Sequence, residues 1–251
     1  VTTWAITDIG RVRKRNEDCY GYDEGLGIFV VADGMGGHEA GDLASKLAVE
    51  TCIEHLRKRS GKEPMEEVFF SAFQEANRRV FEESLRLRTP HGMGTTLTAI
   101  WFPPGEKKGL IGHVGDSRGY KYFQGTLTRL TQDHSWVQQQ INLGYLTEEE
   151  ALLHPYRNVI TRSIGFEPEI EPEIRLLTPE PSAYFFLCTD GITGKITDKE
   201  LALLFQELEG GKIHPEEFLT KLVDLANLRG GDDNSTALLF QLTKSPSPGT
   251  I

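Results

Sequence analysis

Cysteine is scarce in this sequence. Its three examples, Cys19, Cys52 and Cys188, are odd in number and widely spaced, which argues against a disulfide framework and for a reducing compartment. None has a Cys or His partner at metal-ligand spacing. No apolar run approaches the ~20 residues a membrane span needs. The opening Val-Thr-Thr-Trp-Ala-Ile lacks both a basic start and an apolar signal core, so a cytoplasmic location is expected. Positive charge is also in deficit, 27 Lys and Arg against 37 Asp and Glu for a net charge of -10, which disfavours nucleic acid and anionic membrane as partners. A hydrophobic fraction of 38% beside 25% charged residues sets disorder aside and fits a single soluble domain. No linker or internal repeat interrupts it. The start at Val1 and the ending Ser-Pro-Ser-Pro-Gly-Thr-Ile suggest a catalytic portion cut from something longer.

Acidic residues beside glycine are what the chain does have. Asp33-Gly-Met-Gly-Gly37, Thr189-Asp-Gly191 and Gly230-Gly-Asp-Asp-Asn234 each adjoin a strand-like apolar run. Asp-Gly alone is a common turn pair. Three of them at strand edges are how a fold gathers carboxylates around hard divalent cations, which prefer oxygen ligands. Asp33, Asp190 and Asp233 with two such ions leave a slightly positive centre, suited to a phosphate dianion. Gly34 lets its own carbonyl approach an ion. Upstream, Arg13 stands five residues from Asp18 and is a natural fork for phosphate oxygens, although such charge runs are usually solvated faces. Asp116, in Gly115-Asp-Ser-Arg118, adds a carboxylate after another apolar run. The chain reads as a metal-dependent hydrolase.

Ile28 to Ala32 is short, β-branched and bounded by glycines, the pattern of a strand buried on both faces. Leu43, Leu47, Ala48, Cys52 and Leu56 share one helical stripe, and Phe69, Phe73, Ala76 and Val80 another after Pro64. Closely spaced strands are predicted over 95–102, 109–114, 120–123 and 126–130, paired antiparallel. Capping-box spacings at Thr147 and Glu150, and at Thr197 and Glu200, predict two helix starts. A last helix spans 215–228, and strands 184–188 and 236–242 complete an α+β order.

The strings Asn16-Glu-Asp18, Asp33-Gly-Met-Gly-Gly37, Met93-Gly-Thr-Thr96, Gly115-Asp-Ser-Arg118, His154 through Arg162, Thr189-Asp-Gly191 and Gly231-Asp-Asp-Asn-Ser-Thr236 occur in one order. Together they resemble the bacterial metal-dependent Ser/Thr protein phosphatases of type 2C (PPM family), over roughly residues 3 to 242. The resemblance implies a four-layer αββα sandwich, two antiparallel sheets flanked by helix pairs, over residues 1–243. It places a mobile flap at about 141–165 and leaves 244–251 as a flexible tail. It implies two Mn²⁺ or Mg²⁺ ions bridged by Asp33, with Gly34, Asp190 and Asp233 as further ligands, and Glu17 and Asp18 holding metal-bound waters. Asp116 with Asp190 would form a weaker third metal site. Arg13 would bind the substrate phosphate, and Arg157 and Arg162 would be available to protein phosphates. A water shared by two cations has its pKa lowered towards roughly 7 to 9, giving a hydroxide that attacks phosphoserine or phosphothreonine directly.

Met35 stands where eukaryotic relatives carry a His proposed as general acid, which makes His38 the candidate here. Ser235 replaces a common valine and is assigned nothing. The implied partners are phosphorylated proteins and an opposing Ser/Thr kinase, and the implied state is a monomer without an apolar surface stripe. Three rivals stand beside this reading. Gly115-Asp-Ser-Arg-Gly119 matches a nucleophile elbow with Asp190 and His214 downstream, but a strand-like stretch follows where a helix is required. A degenerate phosphatase fold serving as a binding or regulatory module is the second. A two-metal nuclease is the third, and the negative charge opposes it.

Overall fold

The structure, a computed structural model, describes residues 1–36, 40–88 and 92–242. Five strands form one antiparallel sheet: β1 (Thr2–Asp8), β11 (Ser235–Gln241), β10 (Tyr184–Cys188), β7 (Arg118–Phe123) and β8 (Thr126–Arg129), in that spatial order. The second sheet runs β2 (Asp18–Asp23), β3 (Ile28–Met35), β5 (Leu97–Trp101), β6 (Gly109–Val114) and β9 (Glu173–Leu177), with the short β4 (Gly94–Thr95) on the end of β3. Helices α1 (Ala40–Arg59) and α2 (Met65–Leu87) cover the second sheet. Helices α6 (Asp198–Glu209) and α7 (Pro215–Leu228) cover the first. The result is the expected four-layer sandwich.

Strand alternation builds the layers. In β3, Ile28, Val30 and Ala32 face α1 and α2, whereas Phe29 and Val31 face the other sheet. In β11, Ala237 and Leu239 pack under α6 and α7, and Leu238 and Phe240 point to the middle. Period-two alternation with both faces covered is why these strands read as unbroken apolar runs. Phe29 and Phe240 meet across the seam as stacked rings with centroids 3.6 Å apart.

Several local features depart from expectation. Asp33, Gly34 and Met35 continue β3 instead of turning, because Gly34 and Met35 pair with Thr95 and Gly94 of β4. Thr189-Asp-Gly opens a short helix, α5 (Asp190–Thr193), where a turn was expected. β1, β9 and α3 (Trp136–Asn142) were not foreseen. α3 did leave a signal: Ser135 caps it by accepting from the Gln138 N–H, the Ser-x-x-Gln spacing of a capping box. Thr147 and Glu150 form the foreseen box at the start of α4 (Glu148–Leu152).

Residues 135–164 make an excursion that leaves and rejoins the body through the bridges Ser135 to Ile160 and Thr95 to Ile164. Exposed apolar side chains gather on it, including Leu143, Tyr145, Leu153 and Tyr156. These exposed apolar side chains contribute little to the core, which is why core patterning in the sequence does not mark them.

Candidate active site

Both sheets send carboxylates to one end of the sandwich. Antiparallel pairing of β2 with β3 sets Asp18 opposite Asp33. Asp116 follows β6 after Gly115, Asp190 begins α5 directly after β10, and Asp233 lies two residues before β11. Asp33, Asp116, Asp190 and Asp233 line one cleft of about 910 Å³ with Arg13, Glu17 and Gly34. Asp18 sits behind it, its Oδ2 accepting from Thr189 Oγ1 at 2.8 Å. Arg162 is on the cleft wall, whereas Arg157 lines a second cleft of about 580 Å³ that shares Asp116 and Asp190. His38 lies outside the described residues, as does the tail 244–251.

The backbone between these acids is pinned tightly. The Asp33 N–H donates to Thr96 Oγ1, and its carbonyl accepts from the Thr96 N–H and Thr95 Oγ1, each at 2.8 Å. The threonines of the Met-Gly-Thr-Thr string therefore hold Asp33 in place. At Gly34 a Cβ would stand 2.0 Å from the Gly41 carbonyl oxygen, so only glycine admits α1 this close.

Asn234 is the site residue that sequence reasoning left without a role. It is buried, its Oδ1 accepts from the Glu17 N–H at 2.8 Å, and its Nδ2 donates to the Ile9 and Arg15 carbonyls at 3.0 and 2.9 Å. One amide thus lashes the Arg13 to Glu17 loop to the end of the first sheet. Asn234→Ala is expected to lower the unfolding free energy by about 3 kcal/mol, roughly one per lost bond. An unchanged guanidinium midpoint would refute this.

Electrostatics show what the cleft lacks. Burial, reinforced by the surrounding carboxylates, lifts Asp33 and Asp116 well above the usual carboxylate range, and Asp190 in the same direction. For Asp18, burial outweighs the hydrogen bonds from Thr236 and Thr189 and pushes the carboxyl up to about 7. Asp18, Asp190, Asp116 and Asp233 each disfavour a charge on Asp33, and carboxylates crowded in this way need either bound protons or cations among them. Asp18 Oδ1, Asp116 Oδ1 and Asp190 Oδ1 are buried without a hydrogen-bond partner. Orphaned acceptors at this density, all hard oxygens, fit divalent cations of the Mg²⁺ or Mn²⁺ kind. Among the described residues no three acidic, histidine or cysteine side chains close on one point. An ion here would rest on oxygens spread around an open cleft, with water completing its shell, which is the habit of Mg²⁺.

Arg13 reaches the cleft already engaged. Its Nη2 meets Asp233 Oδ2 at 2.7 Å and its Nε donates to the Asp232 carbonyl at 3.2 Å. The nucleophile-elbow alternative fails outright: Ser117 is fully buried, its hydroxyl pairs with Thr96 Oγ1 at 2.7 Å, and strand β7 follows it. Arg118 is a half-buried ion-pair partner of Asp133, Nη2 to Oδ2 at 2.7 Å.

Comparison with known proteins points the same way. The family model described as protein phosphatase 2C matches residues 11–226. The chain is 34% identical over 241 residues to the serine/threonine phosphatase stp of Listeria welshimeri, covering 94% of this chain and 93% of the relative. The crystal structure of the Mycobacterium tuberculosis serine/threonine phosphatase PstP superposes with a TM-score of 0.87 at 32% identity, over 96% of this chain and 98% of that one. A structure of the PstP catalytic domain in complex with two manganese ions gives 0.83 at 31% identity, over 97% and 98%.

Proposed function

We propose a division of labour among the cleft residues from the premise that this chain belongs to the protein phosphatase 2C family and is a metal-dependent serine/threonine protein phosphatase. The observation that carries the proposal is the set of partnerless buried oxygens on Asp18, Asp116 and Asp190 around Asp33. Asp33, Asp190, Asp233 and the Gly34 carbonyl would hold two Mn²⁺ or Mg²⁺ ions, as the manganese complex of PstP suggests. Glu17 and Asp18 would hold their waters, and Asp116 with Asp190 a third, weaker ion. When bound, such ions lower the pKa of water towards neutrality and draw negative charge off the phosphoryl oxygens.

The protein's own groups do the rest. Arg13, preset by Asp233 and the Asp232 carbonyl, keeps further guanidinium N–H groups to donate to phosphate oxygens. Arg162 faces the same cleft, and Arg157 approaches from the neighbouring one. Met35 lines the cleft and has no proton to give, so the leaving serine or threonine oxygen takes its proton from elsewhere, with His38 our candidate. The flap at about 141–165, most of it within the excursion 135–164, would meet the phosphoprotein through its exposed Leu143, Tyr145 and Leu153. Three free cysteines support action in the reducing cytoplasm, as a monomer opposing a Ser/Thr kinase. No helix among the described residues is long and apolar enough to cross a membrane.

Phosphate release from a phosphothreonine peptide with Mn²⁺, with Mg²⁺ and with excess chelator tests the reading. Release with either ion and none with chelator is expected. Folded protein inactive under every condition would favour the binding-module alternative. Arg13→Ala is expected to raise KM for the peptide about tenfold, the worth of one charge-assisted hydrogen bond; an unchanged KM would remove Arg13 from phosphate binding.

A further inference from the structure

Both polar groups of the Gly115 backbone are held by one residue. The Gly115 N–H donates to His134 Nδ1 at 3.2 Å, and the Gly115 carbonyl accepts from the His134 N–H at 2.7 Å. An amide N–H can only donate, so Nδ1 bears a lone pair and the ring proton sits on Nε2, which faces Glu173 Oε2 at 3.7 Å. The imidazole is about one-tenth exposed. It packs against His113 at a centroid distance of 4.8 Å, and His113 Nδ1 in turn pairs with Thr98 Oγ1 at 2.9 Å.

Gly115 needs such support. Its φ is +110°, a conformation side chains rarely adopt, and a Cβ there would fall 2.6 Å from Thr96 Cγ2. The next residue is Asp116, whose buried Oδ1 has no hydrogen-bond partner, so the Gly115 backbone largely decides where that carboxylate points. His134 itself lines neither cleft. Its carbonyl accepts from the N–H of Thr161, a residue of the cleft wall, at 2.7 Å.

Resting on the reading of Asp116 as an ion ligand, we propose that His134 is a positioning residue whose Nδ1 clamps the Gly115 amide and thereby aims the Asp116 carboxylate into the cleft. It acts through the backbone and touches neither ion nor substrate. Outer partners of this kind typically set metal affinity by about 10- to 100-fold.

Calorimetric titration of Mn²⁺ into the full chain and its H134A, H134N and D116N variants tests this. H134A is expected to weaken, by about tenfold or more, the class of Mn²⁺ sites that D116N removes, and to leave the other class unchanged. H134N presents an amide oxygen in place of Nδ1 and is expected to regain most of the affinity, which a purely space-filling role would not predict. H134A titrating like the parent, or H134N as weak as H134A, would overturn the clamp while leaving Asp116 as a ligand. D116N titrating like the parent would overturn the ligand assignment and the clamp with it. Should H134A fail to fold, nitrogen NMR of the parent decides: a lone pair on His134 Nδ1 and a slowly exchanging Gly115 amide are expected, and a protonated Nδ1 overturns the proposal.

Discussion

Asp33→Asn lowers phosphate release by about 10³-fold or more, at least the upper end of what losing one preorganised charge-stabilising group costs, yet the variant melts no lower than the parent in chelator. Both halves come from one observation. The Asp33 carboxyl is buried among Asp18, Asp190, Asp116 and Asp233, each of which disfavours its charge. Asparagine keeps the shape and the backbone bonds to Thr95 and Thr96 while replacing a group that, without cations, must either carry a disfavoured charge or hold a proton the unfolded chain would release. Function and metal-free stability therefore oppose each other at this position, as they do where a site is built from strained electrostatics. Paired activity assays and calorimetry check this. A variant that loses activity only because its melting temperature falls would show that Asp33 is a structural residue.

The second large effect is a pH dependence of unusual sign. The Asp18 carboxyl lies at about 7 in the folded chain against an ordinary 3.8, and Asp33, Asp116 and Asp190 move the same way. Without cations the folded state keeps protons that the unfolded chain releases. That stability is fully present below about pH 4 and is lost as pH rises through the folded pKa. In chelator the melting temperature is therefore expected to fall from pH 5 to pH 8, while saturating Mn²⁺, taking the place of the protons, flattens the curve. Scanning calorimetry across that range measures it, and a chelated protein that gains stability with pH would contradict the buried-acid account.

How much of this was legible in sequence follows from what each residue does. Unbroken apolar runs located β3 and β11, whose two faces are both covered, and helical stripes located α1, α2 and α7, whose apolar residues face one core layer. β1 escaped since its residues are mostly half-buried and its partner, β11, lies at the far end of the chain. β9 is an edge strand with two exposed positions, so alternation there is blurred. Asp-Gly strings showed that acids would gather. They did not show that Asp18 and Asp33 stand in direct cross-strand register, since register emerges only on pairing. Asn234 was invisible as a brace for a related reason: its three partners are backbone groups, all more than 200 residues away. The Arg13 to Asp233 pair was likewise unreadable, because each residue already had a separate role to fill.

The first sheet takes its outermost strand from the start of the chain and the neighbour of that strand from the end, with Thr2 opposite Gln241 and Asp8 opposite Ser235. During synthesis from the N-terminus, β1 must therefore wait, unpaired on its inner edge, until β11 leaves the ribosome. Asp233 and Asn234 emerge only just before it. The Asp18 and Asp33 pair can assemble early on the nascent chain, but the hydrolytic centre cannot close until translation of the domain is all but complete. While this domain is being made it is thus silent toward phosphoproteins until nearly all of it has emerged, and competence waits on β11.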